Sequence, residues 1–346
     1  MKVFFTPYYD NNPYQKKIME ELSILGVDVK PAKTGGSEFF KTKGLKEADV
    51  IHFHWFEAFI KSSSFMKSFI KMIVFLSKLF FFKKNKKYVW TVHNLVNHEK
   101  KNVVLDKIFL FLFTKMMDVF CVHNEYAKQK ILEFYSIKED RVIVIHHGNY
   151  VNDYTTNQTI KNSFNIDDMG INTQKIIFTF LGHIRPYKGV LDLVKAFKDN
   201  PTKNKSQLLI CGKVSTKQDL ETINKAINGD ENIIFKPGFV KDEHIEGYLN
   251  NSDVMVYPYK NILTSGALIL GMSLKKACIA SNVGSMTEFL DNKYIFNNIN
   301  ELTHLIKNLE QRTKEELSNI GTDNFKKIEK DTWSNMALEL KKLYCN

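Results

Sequence analysis

Residues 176–189 read IIFTFLGHIRPYKG, and LDLVKAF follows at 191–197. The first six residues are an unbroken apolar run, the pattern of a strand buried on both faces. The last seven carry helical periodicity. Gly182 to Gly189 therefore joins a parallel strand to a helix through a glycine turn that holds one arginine and one lysine. At such a junction backbone N–H groups and cationic side chains can converge on phosphate. Of 49 basic residues only three are arginines, Arg141, Arg185 and Arg312. Arg185 is thus conspicuous in a lysine-rich chain, and its planar fork can grip a phosphate through two bonds where lysine acts as a point charge. The competing reading is an ordinary strand–turn–helix with Arg185 and Lys188 solvated at the surface.

On either side of this segment, short apolar strands alternate with helical segments along the chain. The first half offers KVFFTP, DVIHFHW, YVWTVH, VFCVH and RVIVIHH; the second offers KIIFTFLG, QLLICG, IIFKPGF, VMVYPY and ACIASN. This alternation predicts an α/β architecture with parallel sheets. Most of these strands end in His, Gly, Pro or Tyr, at the sheet edge where open α/β sheets bind ligands. Tyr150 to Thr173 is polar and aperiodic, and places a boundary between two similar doubly wound domains. The expected units are 1–160, 161–331, and a last helix, 332–346, free to pack back on the N-terminal domain.

The chain of 346 residues is 44% hydrophobic, enough for two cores. Cys121, Cys211, Cys278 and Cys345 are far apart and read as reduced thiols of a cytosolic protein. The opening MKVFFTPYY reads as a first strand, not a leader. The net charge of +11 is uneven: residues 1–150 hold 24 Lys and Arg against 15 Asp and Glu. Between Ala58 and His98 lie eight lysines and no acid. Such a patch suits an anionic partner. Nucleic acid is disfavoured, because zinc-finger spacing, a recognition helix and an RNA-binding aromatic motif are all missing. An anionic membrane surface fits better. Phe65–Phe82 is very apolar but interrupted by Lys67, Lys71 and Lys78, and KKNKK follows at 83–87. It reads as an amphipathic segment lying in an interface, not a span. Val103–Phe120 reads as a core helix.

Three further motifs bear on chemistry. In TSGALILGMSL (264–274), Thr264 or Ser265 can cap a helix and Gly266 lets backbone approach a ligand, so the helix start can face a diphosphate. In SNVGSMTEFL (281–290), Glu288 can accept bonds from a ribose or base, or merely favour the helix dipole. In the first half, HFHWFE (52–57) and TVHNLVNHE (91–99) follow strands and would gather His54, Trp55, Glu57, His93 and Glu99 at one edge. Sugar hydroxyls need such donors and acceptors, and an attacking hydroxyl needs a base. His52, His54, His93 and His98 invite a metal, but their spacing matches no zinc pattern.

Together these segments resemble the nucleotide-sugar glycosyltransferases of the GT-B fold, group 1-like, over nearly the whole chain. GHIRPYKG is similar to the Gly-rich Lys-Gly segment of the retaining family, ACIASNVGSMTE (277–288) to its PVVASDVGGIPE segment, and TVHN (91–94) to its Thr-x-His motif. The resemblance implies two Rossmann-like doubly wound domains facing a central cleft, donor held by the C-terminal one and acceptor by the N-terminal one, with no obligatory metal or other cofactor. It carries Arg185 and Lys188, beside Gly182, as diphosphate ligands and His93 as a residue near the transferred sugar. The chain departs from the retaining pattern where two glutamates precede the SDVGG-like segment: counted back from Gly284, those positions hold Ile262 and Leu270. The pattern ILTSGALILGM, with HFHWFE, TVHNLVNHE and HHGNY, is closer to bacterial exopolysaccharide and O-antigen transferases related to β-mannosyl- and β-glucuronosyltransferases. The glycine loop expected after the first strand reads YYDNNPY (8–14) here, a bulkier acceptor wall that includes Tyr8 and Asn12.

The expected activity is hexosyl transfer from a GDP- or UDP-linked sugar to a saccharide acceptor, lipid-linked, at the inner face of the cell membrane, inverting, with Glu99 as first and His93 as second candidate base. The alternatives are a GT-B epimerase, and a binding subunit whose catalytic residues have decayed.

Overall fold

A computed structural model describes residues 1–60, 64–95, 103–154 and 170–345. The chain divides into two compact units, residues 1–148 with 331–346, and residues 149–330.

The first unit holds six parallel strands: β1 Lys2–Thr6, β2 Asp28–Pro31, β3 Val50–Phe53, β4 Lys87–Thr91, β5 Val119–Val122 and β6 Val142–Val144. Their order is β2-β1-β3-β4-β5-β6, in a register that sets Val3 opposite Val50 and Ile51 opposite Tyr88. The chain runs outward from β1 to β2, then crosses back to β3, so the topological switch point lies between β1 and β3. Phenylalanine fills the space between sheet and helices: Phe59 stacks on Phe75 at 4.5 Å and Phe109 on Phe113 at 5.1 Å. The final helix, Trp333–Cys345, packs on the helix Pro13–Ile24, with Ser334 Oγ donating to Glu21 and Lys341 Nζ to the Leu25 carbonyl.

The second unit repeats the plan with β7 Ile176–Leu181, β8 Ser206–Gly212, β9 Ile233–Pro237, β10 Val254–Tyr257, β11 Ala277–Ser281 and β12 Ile295–Phe296. The order is β12-β11-β10-β7-β8-β9, again parallel. Every residue of β7, β8, β10 and β11 is buried, as expected for strands covered on both faces. The switch point here lies between β7 and β10.

All ten strands read from the sequence are present. The two it omits, β2 and β12, are edge strands; β2 is DVKP, with mostly exposed residues, and carries no apolar run to signal it. The expectation for Val103–Phe120 needs correction. The stretch ends as a helix at Met116, and Val103, Val104, Ile108, Phe111 and Leu112 face outward. It is half core and half surface.

Candidate functional site

β7 ends where GHIRPYKG begins, at the switch-point edge of the second sheet. The Gly182 amide donates to the Cys211 carbonyl at 3.0 Å and the Ile184 amide to the Lys213 carbonyl at 2.8 Å, so the sheet ladder continues past the strand. Pro186–Lys188 then forms one 3-10 turn, with Pro186 at its first position, where a missing N–H costs nothing. Gly189 closes the turn at φ +68 and starts the helix Val190–Lys198. A Cβ at Gly189 would stand 1.8 Å from the Pro258 carbonyl oxygen. Only glycine lets the two loops, 182–189 and 258–265, come this close. The contact is locked by the Lys260 amide donating to the Tyr187 carbonyl at 2.7 Å and by the Lys260–Asp192 ion pair at 2.9 Å.

This packing brings cations together. Lys188 Nζ sits 3.6 Å from the ring centre of Tyr259 and 5.6 Å from that of Tyr187. Burial lowers the Lys188 pKa to about 7, with the Arg185 charge adding to the effect. Burial also lowers that of His183, helped by the charges of Arg185, Lys213 and Lys188. Arg185 is hydrogen-bonded to Tyr187. Among the described residues, no carboxylate pairs with Arg185 or Lys188. Like charges held near one another and half out of water, without a counter-charge, make a site that gains from an anion.

Ser265 caps the helix Gly266–Ser273, its hydroxyl accepting from the Leu268 amide at 3.1 Å and bonding also to Tyr259. The Ile269 amide is taken by the Ser265 carbonyl. The amides of Gly266 and Ala267 have no acceptor among the described residues, and they carry the positive end of the helix dipole. Tyr259 therefore links both motifs, with Lys188 on its face and Ser265 at its hydroxyl. The neighbouring SNVGS turn is tied to the same loop, because Gly284 (φ +61) lies against the Ile262 carbonyl, where a Cβ would come within 2.0 Å.

At the switch-point edge of the first sheet, imidazoles cluster around Tyr14. His54 Nδ1 and His93 Nε2 share a hydrogen bond at 3.2 Å, and Trp55 stacks on His93 at 4.4 Å. His123 donates from Nδ1 to the Ile145 carbonyl, so its Nε2 accepts from the Tyr14 hydroxyl at 2.9 Å. His52 bridges Tyr344 and Thr91 at 2.6 and 2.7 Å. Burial is the main cause that lowers every imidazole here: His52 and His147 to about 3, His123 to about 4, His54 and His93 well below the ordinary value. They are neutral donors and acceptors at pH 7. Among the described residues, His54 Nε2 is buried without a partner.

The residues singled out in the sequence fall as follows. Lys188 and Ser265 meet at Tyr259; Arg185 is bonded to Tyr187 and its charge acts on Lys188; Gly266 follows Ser265 at the helix start; the Gly182 amide serves the sheet. Thr264 is half-buried in the same loop, and Glu288 is exposed in the first turn of the helix Met286–Phe289. His54, Trp55 and His93 come together. Asn12 caps the helix Pro13–Ile24 by accepting from the Tyr14 amide at 3.1 Å, and Tyr8 is half-buried in the preceding loop. Glu57 opens a short helix, Glu57–Ile60. Glu99 and His98 lie outside the described residues. Sequence reasoning missed Tyr259, Tyr14 and Gln15. Gln15 is fully buried and pins the YYDNNPY loop, donating to the Pro7 carbonyl at 2.8 Å and accepting from the Tyr9 amide at 3.0 Å. An apolar-period helix with a glutamine in its first turn was the available signal. Among the described residues no cluster of three or more His, Cys, Asp or Glu is arranged to hold a metal.

The profile of the group 1 glycosyl transferases matches residues 161–326, which contain the whole cation–amide site. The chain is a glycosyltransferase of the GT-B fold whose residues 161–326 match group 1. The glycosyltransferase is similar to the GDP-mannose:glycolipid 4-beta-D-mannosyltransferase of Xanthomonas campestris pv. campestris, 25% identical over 279 residues, 79% of this chain and 71% of the relative. Its fold matches Anabaena HepE solved with UDP (TM-score 0.73, 11% identity, 99% of each chain covered). It also matches sucrose-phosphate synthase from Thermosynechococcus elongatus (TM-score 0.76, 16% identity, 99% of this chain and 98% of that one).

Proposed function

We propose that this glycosyltransferase moves a hexose from a GDP- or UDP-linked sugar to a saccharide acceptor carried on lipid, in bacterial surface-polysaccharide synthesis, with inversion at the sugar. One observation carries the reading. Arg185 and Lys188, without an acidic partner among the described residues, lie in the loop after β7, and Lys188 shares Tyr259 with Ser265, the cap of a helix whose Gly266 and Ala267 amides have no acceptor among the described residues. Charge builds on the diphosphate as the glycosidic bond breaks, so these groups stabilise the departing nucleotide more than the bound donor. Neutralisation falls to cations and amides. Glu288 is the candidate ribose or base contact. A glycolipid acceptor is named for the Xanthomonas relative, which supports the lipid-linked choice.

Ile262 and Leu270 offer no carboxylate beside the transferred sugar, which favours direct displacement by an acceptor hydroxyl. That hydroxyl needs a base. His93 is neutral but weakly basic and already bonded to His54, so Glu99 remains the first candidate. His54, Trp55, Glu57, Tyr8 and Asn12 are the acceptor-side expectations, with Asn12 also serving as a helix cap.

The test is release of nucleotide from a panel of GDP- and UDP-sugars, with and without glycolipid acceptors. Arg185→Ala should lower donor turnover by about 3–4 kcal/mol in barrier, roughly a hundred- to a thousand-fold, with an unchanged melting temperature. Near-normal turnover in that variant would remove Arg185 from the site.

A further inference from the structure

The helices Phe65–Lys83 and Val103–Met116 pack on each other through Phe75 and Phe109, with ring centres 6.3 Å apart. Each buries one face and exposes another that is also apolar. On the first, Ser68, Met72, Phe75 and Leu79 face inward, while Met66, Ile70, Ile73, Val74 and Phe81 face outward. On the second, Leu105, Phe109 and Phe113 face inward, while Val104, Ile108, Phe111 and Leu112 face outward. The outward sets repeat one spacing, 66-70-73-74 and 104-108-111-112, which aligns each as a stripe along its helix. Exposure is high: 63% for Met66, 77% for Phe81 and 66% for Val104. Contiguous apolar surface of this kind marks a contact site.

Charge selects the occupant. Lys67, Lys71 and Lys78 run along one flank of the first stripe, by the same spacing rule. Lys107 and Lys115 border the second, and Lys115 Nζ lies 4.0 Å from the Phe111 ring centre, its stem along the apolar surface. Residues 64–95 contain no acid, and Asp106, the one acid of the second helix, is buried. Lysine without arginine or acid is a poor fit to a protein interface, whose core is depleted in lysine. It fits a helix pair lying in the headgroup layer of an anionic bilayer. Among the described residues no helix is long and apolar enough to cross a membrane. The KKNKK tract is mostly committed elsewhere: Lys83 bonds Asp118 and the Met116 carbonyl, Lys86 the Lys46 carbonyl, and Lys87 the Leu343 carbonyl.

We infer that the outward faces of these two helices form a single docking surface for an anionic lipid bilayer, with aliphatic and phenylalanine side chains inserted and Lys67, Lys71, Lys78, Lys107 and Lys115 at headgroup level. The inference is independent of which sugar is transferred. It is tested by co-sedimentation of the full chain with vesicles of phosphatidylcholine alone and of phosphatidylcholine mixed with phosphatidylglycerol. Two variants are compared: Ile70→Ser with Phe81→Ser and Phe111→Ser, and Lys67→Glu with Lys71→Glu and Lys78→Glu. Circular dichroism and melting temperature confirm that both fold. The parent should pellet with the anionic vesicles and stay in solution with the neutral ones, and each variant should lower partitioning by at least about tenfold. Equal partitioning of parent and variants, or a parent that ignores anionic vesicles, overturns the inference. So does a parent that sediments as a dimer while the serine variant is monomeric, which would make the face a contact between copies.

Discussion

Lys188 is held where its own charge is unfavourable. Its ammonium lies on the Tyr259 face, half-buried, with Arg185 adding repulsion, and its pKa falls to about 7. A diphosphate bound there would reverse that balance and raise it again. The sign follows directly. With the folded value depressed below 10.5, the unfolded chain holds more protons between about pH 7 and 10, so through this group stability rises with pH across that window. For the complex the direction is opposite. Above about pH 7 each donor bound must draw in a proton, and affinity for a sugar nucleotide should weaken by up to roughly tenfold per pH unit. Calorimetry in buffers of different ionisation heat should detect that uptake near pH 8.5, and Lys188→Met should abolish both the uptake and the pH dependence. Uptake unchanged in Lys188→Met would assign it to another group. Arg185 and Lys188 stand out in the sequence as candidates because arginine is scarce and the glycine turn is specific. Tyr259 was not, since a tyrosine after VMVYP reads as the end of a strand, and only the approach of loop 258–265 to Gly189 gives it a partner.

The elements that set the site are two strand-to-helix loops, and their separation is governed by Gly189. Alanine there meets the Pro258 carbonyl and must also hold φ +68. Gly189→Ala should therefore destabilise the protein by about 2–3 kcal/mol and part the Lys188–Tyr259 contact. Chemical denaturation reads the first effect, and nucleotide affinity the second; a variant with wild-type stability would show that the loops can separate freely. The strands of this unit could be read from sequence because parallel strands covered on both faces are continuous apolar runs, as IIFTFL and QLLICG are. DVKP could not, since an edge strand owes its pairing to its neighbour. Val103–Met116 misled for a related reason: hydropathy reports that a helix is apolar all round, and only packing tells which face is covered.

Across the whole molecule the same plan is used twice, with six parallel strands in each unit and a switch point in each sheet. One edge collects cations and amides without an acceptor among the described residues, the other neutral imidazoles and aromatic rings. Each edge by itself has chemistry the proposed reaction needs, cations for an anionic leaving group and neutral donors and acceptors for sugar hydroxyls. The basic excess of residues 1–150 belongs to the imidazole unit, so the cations of the β7/β10 edge are not part of a general positive surface. The repetition was visible in the alternating strands, whereas the chain's return, with Trp333–Cys345 packing on Pro13–Ile24, had no sequence signature beyond a helix after the last strand.

The most direct measurement is a crystal structure of the full chain soaked with a GDP- or UDP-sugar. The account predicts a diphosphate within hydrogen-bond distance of Arg185, Lys188 and the Gly266 and Ala267 amides. A diphosphate bound away from the β7/β10 edge, with those groups untouched, would contradict it.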